Sequence, residues 1–191
     1  GEWAIISDLG SRRLSQHIHQ TPPDQQWHLA ERVICGIFDL QDAANRCPDV
    51  ASLPRIDLTK NNLAHISKGP ERTCARFAIA LPDVAPDSLL PWIGADVPTF
   101  IKGDCRAANI VLDADDQLGW IDFEFAGLRH GCEDIAWFLC DETLPIALDG
   151  HLDHLDAIVR AARPHAPEAY LKKLFVNAAL HAGARLRVIG N

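Results

Sequence analysis

Asp104, Asn109 and Asp122 are the residues whose types and spacing could do chemistry. Ile110-Val111-Leu112 and Leu118-Gly119-Trp120-Ile121 read as two short apolar strands around the turn-rich Asp113-Ala114-Asp115-Asp116-Gln117. A hairpin with its tip at Asp115-Asp116 sets Ile110 opposite Ile121 and Asn109 opposite Asp122. Directly opposed residues share a sheet face, with Cβ atoms about 4.5–5.5 Å apart. One amide oxygen and one carboxylate then converge at the open end, and both are hard oxygen ligands of the kind Mg²⁺ takes. Asp104 follows the strand-like Thr99-Phe100-Ile101, and a loop leaving that strand can bring its carboxylate to the same place. Phosphoryl transfer requires such a set. The metal neutralises phosphate charge, while the remaining carboxylate orients the attacking hydroxyl and takes its proton. Arg106, in the same loop, could stabilise the transferring group. Asp and Asn are also ordinary turn residues. An inert hairpin is the better reading for any one of them, and the metal site the better reading for the whole set.

The elements that must position these residues are mostly helical, so the expected fold is α+β, with a small β element held between helices. Thr21-Pro22-Pro23-Asp24 is a helix entrance, and Ala30, Val33, Ile34, Ile37 and Phe38 continue at helical spacing to about Asn45. Pro48 to Pro54 is a connector. Thr59 could cap a short helix that Gly69-Pro70 interrupts, and Cys74, Phe77, Ala78 and Leu81 fit a further stripe. Pro82 to Pro98 is proline-rich, with a short apolar piece at Leu89-Leu90-Pro91-Trp92. Helices are expected again from about Cys132, over His151 to Arg163, and over Pro167 to Val188 with Leu171, Leu174, Phe175 and Ala178 inward. Trp3-Ala4-Ile5-Ile6 reads as a short buried strand ended by Ser7-Asp8-Leu9-Gly10.

The net charge of -8 opposes phosphate backbones, so nucleic acid is not an expected partner. It is compatible with a cationic substrate. No apolar run reaches the length of a membrane span, and no secretory leader pattern is found. The six cysteines form no C-x-x-C pair, and a cytoplasmic setting with reduced thiols is expected. His151 and His154 lie among Asp153 and Asp156 on what reads as a solvated helix face. A P-loop, a G-x-S-x-G elbow and an H-E-x-x-H helix are all missing.

The string Lys102-Gly103-Asp104-Cys105-Arg106-Ala107-Ala108-Asn109, followed by Ile121-Asp122-Phe123-Glu124, resembles the aminoglycoside phosphotransferase and choline kinase group, relatives of the protein kinases. The group's loop reads H-G-D-x-x-x-x-N, followed by D-x-E or D-x-D; Lys102 stands where it usually has His. The resemblance implies Asp104 as catalytic base and Asn109 and Asp122 as Mg²⁺ ligands, with Glu124 near the metal or substrate. Gly127, Arg129, Gly131, Asp134 and Ile135-Ala136 also look like that group, and Asp134 then reads as a structural residue. Ser7 to Leu9 would contact the adenine of ATP as a hinge. Residues 1–10 would thus be a hinge strand from an N-terminal lobe lacking here, and residues 11–191 a helical C-terminal lobe with catalytic loop 102–109 and metal segment 121–124. By itself such a lobe would bind ATP weakly and could be inactive.

The function so implied is ATP- and Mg²⁺-dependent phosphorylation of a small-molecule hydroxyl. The acceptor and the oligomeric state are left open. His130 is a substrate candidate by its nearness to the loop. Asp141 and Glu142 fall where this group can line its acceptor pocket, although a solvated loop is the plainer reading. Two rivals remain: a nucleotide-binding or regulatory kinase-like module without turnover, and a metal-dependent phosphoesterase using the same carboxylates.

Overall fold

Two prolines open the longest element that faces the site. Pro22 and Pro23 have no N–H to leave unpaired at a helix start, and helix α2 runs Pro23–Asn45. Its stripe of Trp27, Ala30, Val33, Ile34, Ile37, Phe38 and Gln41 is buried. The computed structural model describes residues 9–55, 60–80, 83, 85–94 and 98–189. The expected strand Trp3–Ile6, Ser7 and the Thr59 cap lie outside the described residues.

Helix α1 (Leu14–Gln20) precedes α2 and buries Leu14 and Ile18, four apart on one face. Helix α3 (Lys60–Phe77) and the short α4 (Leu90–Ile93) follow, then α5 (Cys132–Leu139), α6 (Leu152–Ala162) and α7 (Pro167–Ile189). Strands β1 (Thr99–Ile101), β2 (Ile110–Leu112), β3 (Leu118–Trp120) and β4 (Gly127–Arg129) make two antiparallel ribbons, β1 with β4 and β2 with β3. The chain is therefore mixed α+β and mostly helical. Helix α5 buries six of its eight side chains, Glu133 and Asp134 among them, and packs on α7 and α2. With Leu155 and Val159 of α6 and Leu174 of α7 it forms the core.

Several expectations are corrected. Helix α3 runs unbroken through Gly69-Pro70; Pro70 lies inside it and its ring meets α7 at Gly183. Phe77 and Phe175 are 62% and 43% exposed, so neither faces the core. A 3-10 turn over Leu148–His151 precedes α6. His151 does not sit on a solvated face: its ring stacks on Trp27 at 4.4 Å, with planes 1° apart. The β2–β3 register is one residue off the expected one. Ile110 pairs with Trp120, Val111 with Gly119 and Leu112 with Leu118. The cause is Asp113. Its carboxylate accepts the N–H groups of Asp115 and Gln117 at 2.9 and 2.8 Å, and its own N–H donates to Gln117 O at 3.0 Å. The turn is thus centred on Asp115 rather than between Asp115 and Asp116.

The ribbon is clamped on both sides. Leu112 N donates to Arg12 O at 2.9 Å, and Arg13 bridges Val111. On the α2 side, a Cβ placed on Gly36 would lie 2.9 Å from Leu118 Cδ1 and 3.3 Å from Trp120 Cζ2. Glycine therefore lets β3 press against the helix. In Gly36→Ala the helix propensity gain of about 1 kcal/mol offsets the tight contact, and stability should barely change. Gly36→Val should cost about 1–3 kcal/mol through overpacking. Urea midpoints of the two variants check this; equal midpoints would show that β3 does not rest there.

Candidate active site

The loop after β1 is built around a carboxylate it does not contain. Asp134, on the first turn of α5, is fully buried. Its Oδ2 accepts the N–H of Lys102 and its Oδ1 the N–H of Gly103, both at 2.9 Å. Gln41 Nε2 of α2 adds a third bond, to Oδ2 at 3.2 Å, and a fourth contact joins it to Gly131 O at 2.9 Å. Burial pushes the Asp134 carboxyl above its usual range, and these hydrogen bonds draw it back. The structural role expected of Asp134 is what the geometry shows.

Held there, the chain makes two left-handed residues in succession, Gly103 at φ 67° and Asp104 at φ 42°. Only glycine suits position 103: besides its φ, an added Cβ would lie 2.6 Å from Phe125 O. Asp tolerates the left-handed region better than most residues. The turn directs the Asp104 side chain, in a residue only 6% exposed, toward its own loop. Arg106 Nε and Nη2 donate to its two oxygens at 2.7 and 3.1 Å. Asn109 Nδ2 donates to Asp104 Oδ2 and to Asp104 O, both at 3.0 Å. Asp104 and Asn109 are therefore brought together, as the sequence led one to expect. Arg106 lies against Asp104, which raises the guanidinium pKa further.

The other end of the loop is held by Asp141, which is a correction. Asp141 is neither solvated nor displayed to a ligand; it is 5% exposed. Its Oδ2 accepts Ala107 N at 2.7 Å, and its Oδ1 accepts Thr143 N and Oγ1 at 2.9 and 2.8 Å. Glu142 next to it is paired with Arg185 of α7 through both carboxylate oxygens, which holds its carboxyl below the usual range. His181 of α7 packs on Trp137 with ring centroids 4.0 Å apart. Burial lowers its pKa to about 4, with the Arg185 charge adding to the effect.

Asp122 does not face Asn109 across the ribbon. Ile121 N donates to Asn109 O at 3.1 Å, so Asp122 is one residue beyond the pair. It is exposed, at φ 61°. What ties it to the loop is Lys102. That side chain is fully buried, and its Nζ donates to Asp122 O at 2.8 Å and Gly103 O at 3.3 Å. The ammonium also lies 5.3 Å from the centre of the Phe123 ring. Lys102 is thus a strut between the two halves of the site. Among the described residues, no group of three or more His, Cys, Asp or Glu side chains is arranged to hold a metal.

The remaining candidates scatter. Glu124 is exposed in the turn after Asp122. Leu9 packs on Gly119, on the ribbon itself, and Ser7 lies outside the described residues. His130 accepts Cys132 N at Nδ1 and stands over Tyr170 in a separate cleft at the start of β1. Sequence reasoning missed Gln41, although it is the one polar side chain on the buried stripe of α2. It also missed the anchoring roles of Lys102 and Asp141. Buried Cys105 and Cys132 have thiol pKa values pushed well up by burial, so neither is a nucleophile.

Two tests follow from these burials. Asp134→Asn cannot accept at both oxygens, so it should lose about 2–3 kcal/mol, the scale of a charge-assisted bond, and speed amide exchange at Lys102 and Gly103. Exposed Asp153→Asn serves as the control; equal loss in both would dismiss the anchor. Glu133 offers a pH test. Burial raises its carboxyl from 4.5 to about 7, against the opposing pull of Arg129, whose Nη2 lies 2.6 Å from it. The folded state keeps a proton there that the unfolded chain has lost. This stability is complete below about pH 4.5 and lost as pH rises through about 7. Glu133→Gln should abolish a fall on the order of 3 kcal/mol across that window. Subtracting denaturation curves of variant and parent isolates the effect, and a flat difference would refute it.

No family model matches the chain, and no curated protein matches it.

Proposed function

We propose that this chain carries the phosphoryl-transfer machinery of an ATP- and Mg²⁺-dependent kinase for a small-molecule hydroxyl, of the aminoglycoside phosphotransferase and choline kinase type with a protein-kinase-like fold. The observation that carries the reading is the loop itself. Asp104 and Asn109 meet through a bond of 3.0 Å in a turn anchored at both ends by buried carboxylates. Loops of ordinary surface turns have no need of such anchoring, whereas a catalytic base must be held to within a fraction of an ångström.

The donor types, one amide oxygen and one carboxylate, are of the hard-oxygen kind that Mg²⁺ takes. Asn109 spends its Nδ2 on Asp104, which leaves the amide oxygen as the atom for a cation. Asp122 supplies an exposed carboxylate at the same end of the ribbon. Mg²⁺ keeps several waters and phosphate oxygens, so two side-chain ligands suffice. Bound nucleotide and metal supply the transferable phosphoryl group and the charge that offsets its oxygens. The residues here do the rest. Asp104 accepts the proton of the acceptor hydroxyl at a carboxylate oxygen. Arg106, now on that carboxylate, has a guanidinium that can turn to an anionic group beside it. Lys102 keeps the Asp122 backbone in register with the loop. Near the loop, Glu142 is neutralised by Arg185, which weakens the expectation of a strongly cation-selective acceptor site.

The pairing of Arg106 with both oxygens of Asp104 favours a second reading, a nucleotide-binding module that does not turn over. One experiment separates the two. The protein is incubated with ATP, Mg²⁺ and a panel of amino alcohols, sugars and aminoglycosides, and phosphate transfer is followed. Asp104→Asn should lower kcat by about 10²–10⁴, the usual weight of a general base, while still folding cooperatively with a melting temperature lower by only a few degrees, about 2–4 °C per kcal/mol lost. Turnover of that variant near the parent rate would refute the base assignment. Mg²⁺-dependent stabilisation by ATP without transfer to any acceptor would favour the silent module.

A further inference from the structure

A second ion pair stands beside the catalytic loop. Helix α7 brings it there along one face, with residues spaced three and four apart. Cys140 Sγ donates to Ala178 O at 3.3 Å, His181 packs on Trp137, and Arg185 Nε donates to Glu142 Oε2 at 3.0 Å. Glu142 follows Asp141 in the chain, and Arg106 precedes Ala107. The pairs Arg106–Asp104 and Arg185–Glu142 therefore flank one hydrogen bond, from Ala107 N to Asp141 Oδ2 at 2.7 Å.

The two pairs feel one another. The Arg106 pKa, raised first by its bond to Asp104, is raised further by the charges of Asp141 and Glu142. The Arg185 pKa, raised first by its bond to Glu142, is held back by the charge of Arg106. His181, one turn before Arg185, adds no charge at neutral pH, because burial lowers its pKa to about 4. A ligand can reach the pair: the side chains of Arg185 and Glu142 are 22% and 31% exposed. Partly exposed ion pairs contribute little to stability, so this one can be parted.

What parts it has to replace both partners. A cation on Glu142 alone leaves the Arg185 guanidinium unpaired near that of Arg106. An anion on Arg185 alone leaves the Glu142 carboxylate unpaired next to Asp141. Each sets like charge against like, which selects against both. A molecule that carries an ammonium and a carboxylate leaves neither residue without a counter-charge.

We propose that Arg185 and Glu142 recognise a hydroxylated amino acid, its carboxylate on Arg185, its ammonium on Glu142 and its hydroxyl toward Asp104. That this ligand is the phosphate acceptor rests on the phosphotransferase reading; its binding does not. In the transfer, the hydroxyl oxygen bonds to the γ-phosphorus of ATP as the bond from that phosphorus to the β,γ-bridging oxygen breaks. ADP leaves with the electron pair, Asp104 receives the hydroxyl proton, and an O-phosphoamino acid is formed.

The test is calorimetric titration of the chain with serine, ethanolamine and 3-hydroxypropionate, to about 10 mM, the range of a weak specific site. The two analogues are serine without its carboxylate and serine without its ammonium. Titrations are run with and without Mg²⁺ and the β,γ-imido analogue of ATP. Serine should bind at least about tenfold tighter than either analogue, the weight of one charge-assisted bond. Arg185→Gln should weaken serine and strengthen ethanolamine, and Glu142→Gln should weaken serine and strengthen 3-hydroxypropionate. Loss of a merely structural ion pair would not produce these opposite shifts. Arg185→Lys keeps the test open if Arg185→Gln fails to fold: it should bind serine more weakly than the parent and still prefer it to both analogues. No binding of serine, binding no tighter than that of the analogues, or binding that the variants leave unchanged overturns the site. With ATP in place of its analogue, serine binding without phosphoserine formation keeps the site and counts against the phosphotransferase reading. Transfer to other alcohols with no binding of serine keeps that reading and overturns the site.

Discussion

The structure depends on a carboxylate that never meets solvent. Burying Asp134 is unfavourable unless its oxygens are matched by donors, and the donors available are the two backbone N–H groups at the exit of β1 and the amide of Gln41. Matching them fixes where α5, β1 and α2 stand relative to one another. Since α5 is the centre of the core, the loop that follows β1 inherits the rigidity of the core. A second carboxylate, Asp141, closes the far side of the same loop at Ala107. The six residues from Lys102 to Ala107 are thereby held at both ends.

That constraint is what allows a strained turn to persist. Asp104 in the left-handed region costs about 1 kcal/mol. Three donors on its carboxylate, two from Arg106 and one from Asn109, outweigh this. Lys102 does comparable work on the other side. A buried ammonium is tolerable only where carbonyls or anions surround it, and here the carbonyls of Gly103 and Asp122 do so. The lysine therefore joins the loop to the Asp122 segment by a bond that a backbone alone could not make.

Much of this was legible in the sequence, and the losses have physical causes. Long periodic segments were clear: α2 starts one residue before its expected start, and α5, α6 and α7 lie close to the expected ranges, although Phe175 turns out of the α7 stripe. The apolar flanks of the hairpin were also clear. Its register was not, because a side chain decided it: Asp113 folds back on Asp115 and Gln117 and moves the tip by half a residue. Gly69-Pro70 looked like a break because proline removes a helix bond; packing of its ring on α7 overrode the local preference. Asp141 looked solvated because acidic loop residues usually are, and nothing in its neighbours announces the Ala107 N–H it accepts. Gln41 could have been found, since a polar residue inside an otherwise apolar stripe has to be bonded to something.

The Arg106–Asp104 pair decides how the site should be thought of. A carboxylate gripped bidentately by a guanidinium is a poor base, because the cation favours its charged form. On the proposed reading, a bound polyanion would compete with Asp104 for this guanidinium. Arg106 is about one third exposed, and its partner holds a single negative charge. A polyanion arriving beside the loop offers the guanidinium more charge than Asp104 does, and its departure leaves Asp104 with Asn109 as the remaining side-chain donor. The carboxylate would then be exposed to an acceptor hydroxyl only when the anion is in place. Anchoring by Asp134 and Asp141 matters most at that moment. It would keep Asp104 where it is if Arg106 left, so that an exchange of partners would not become a collapse of the loop.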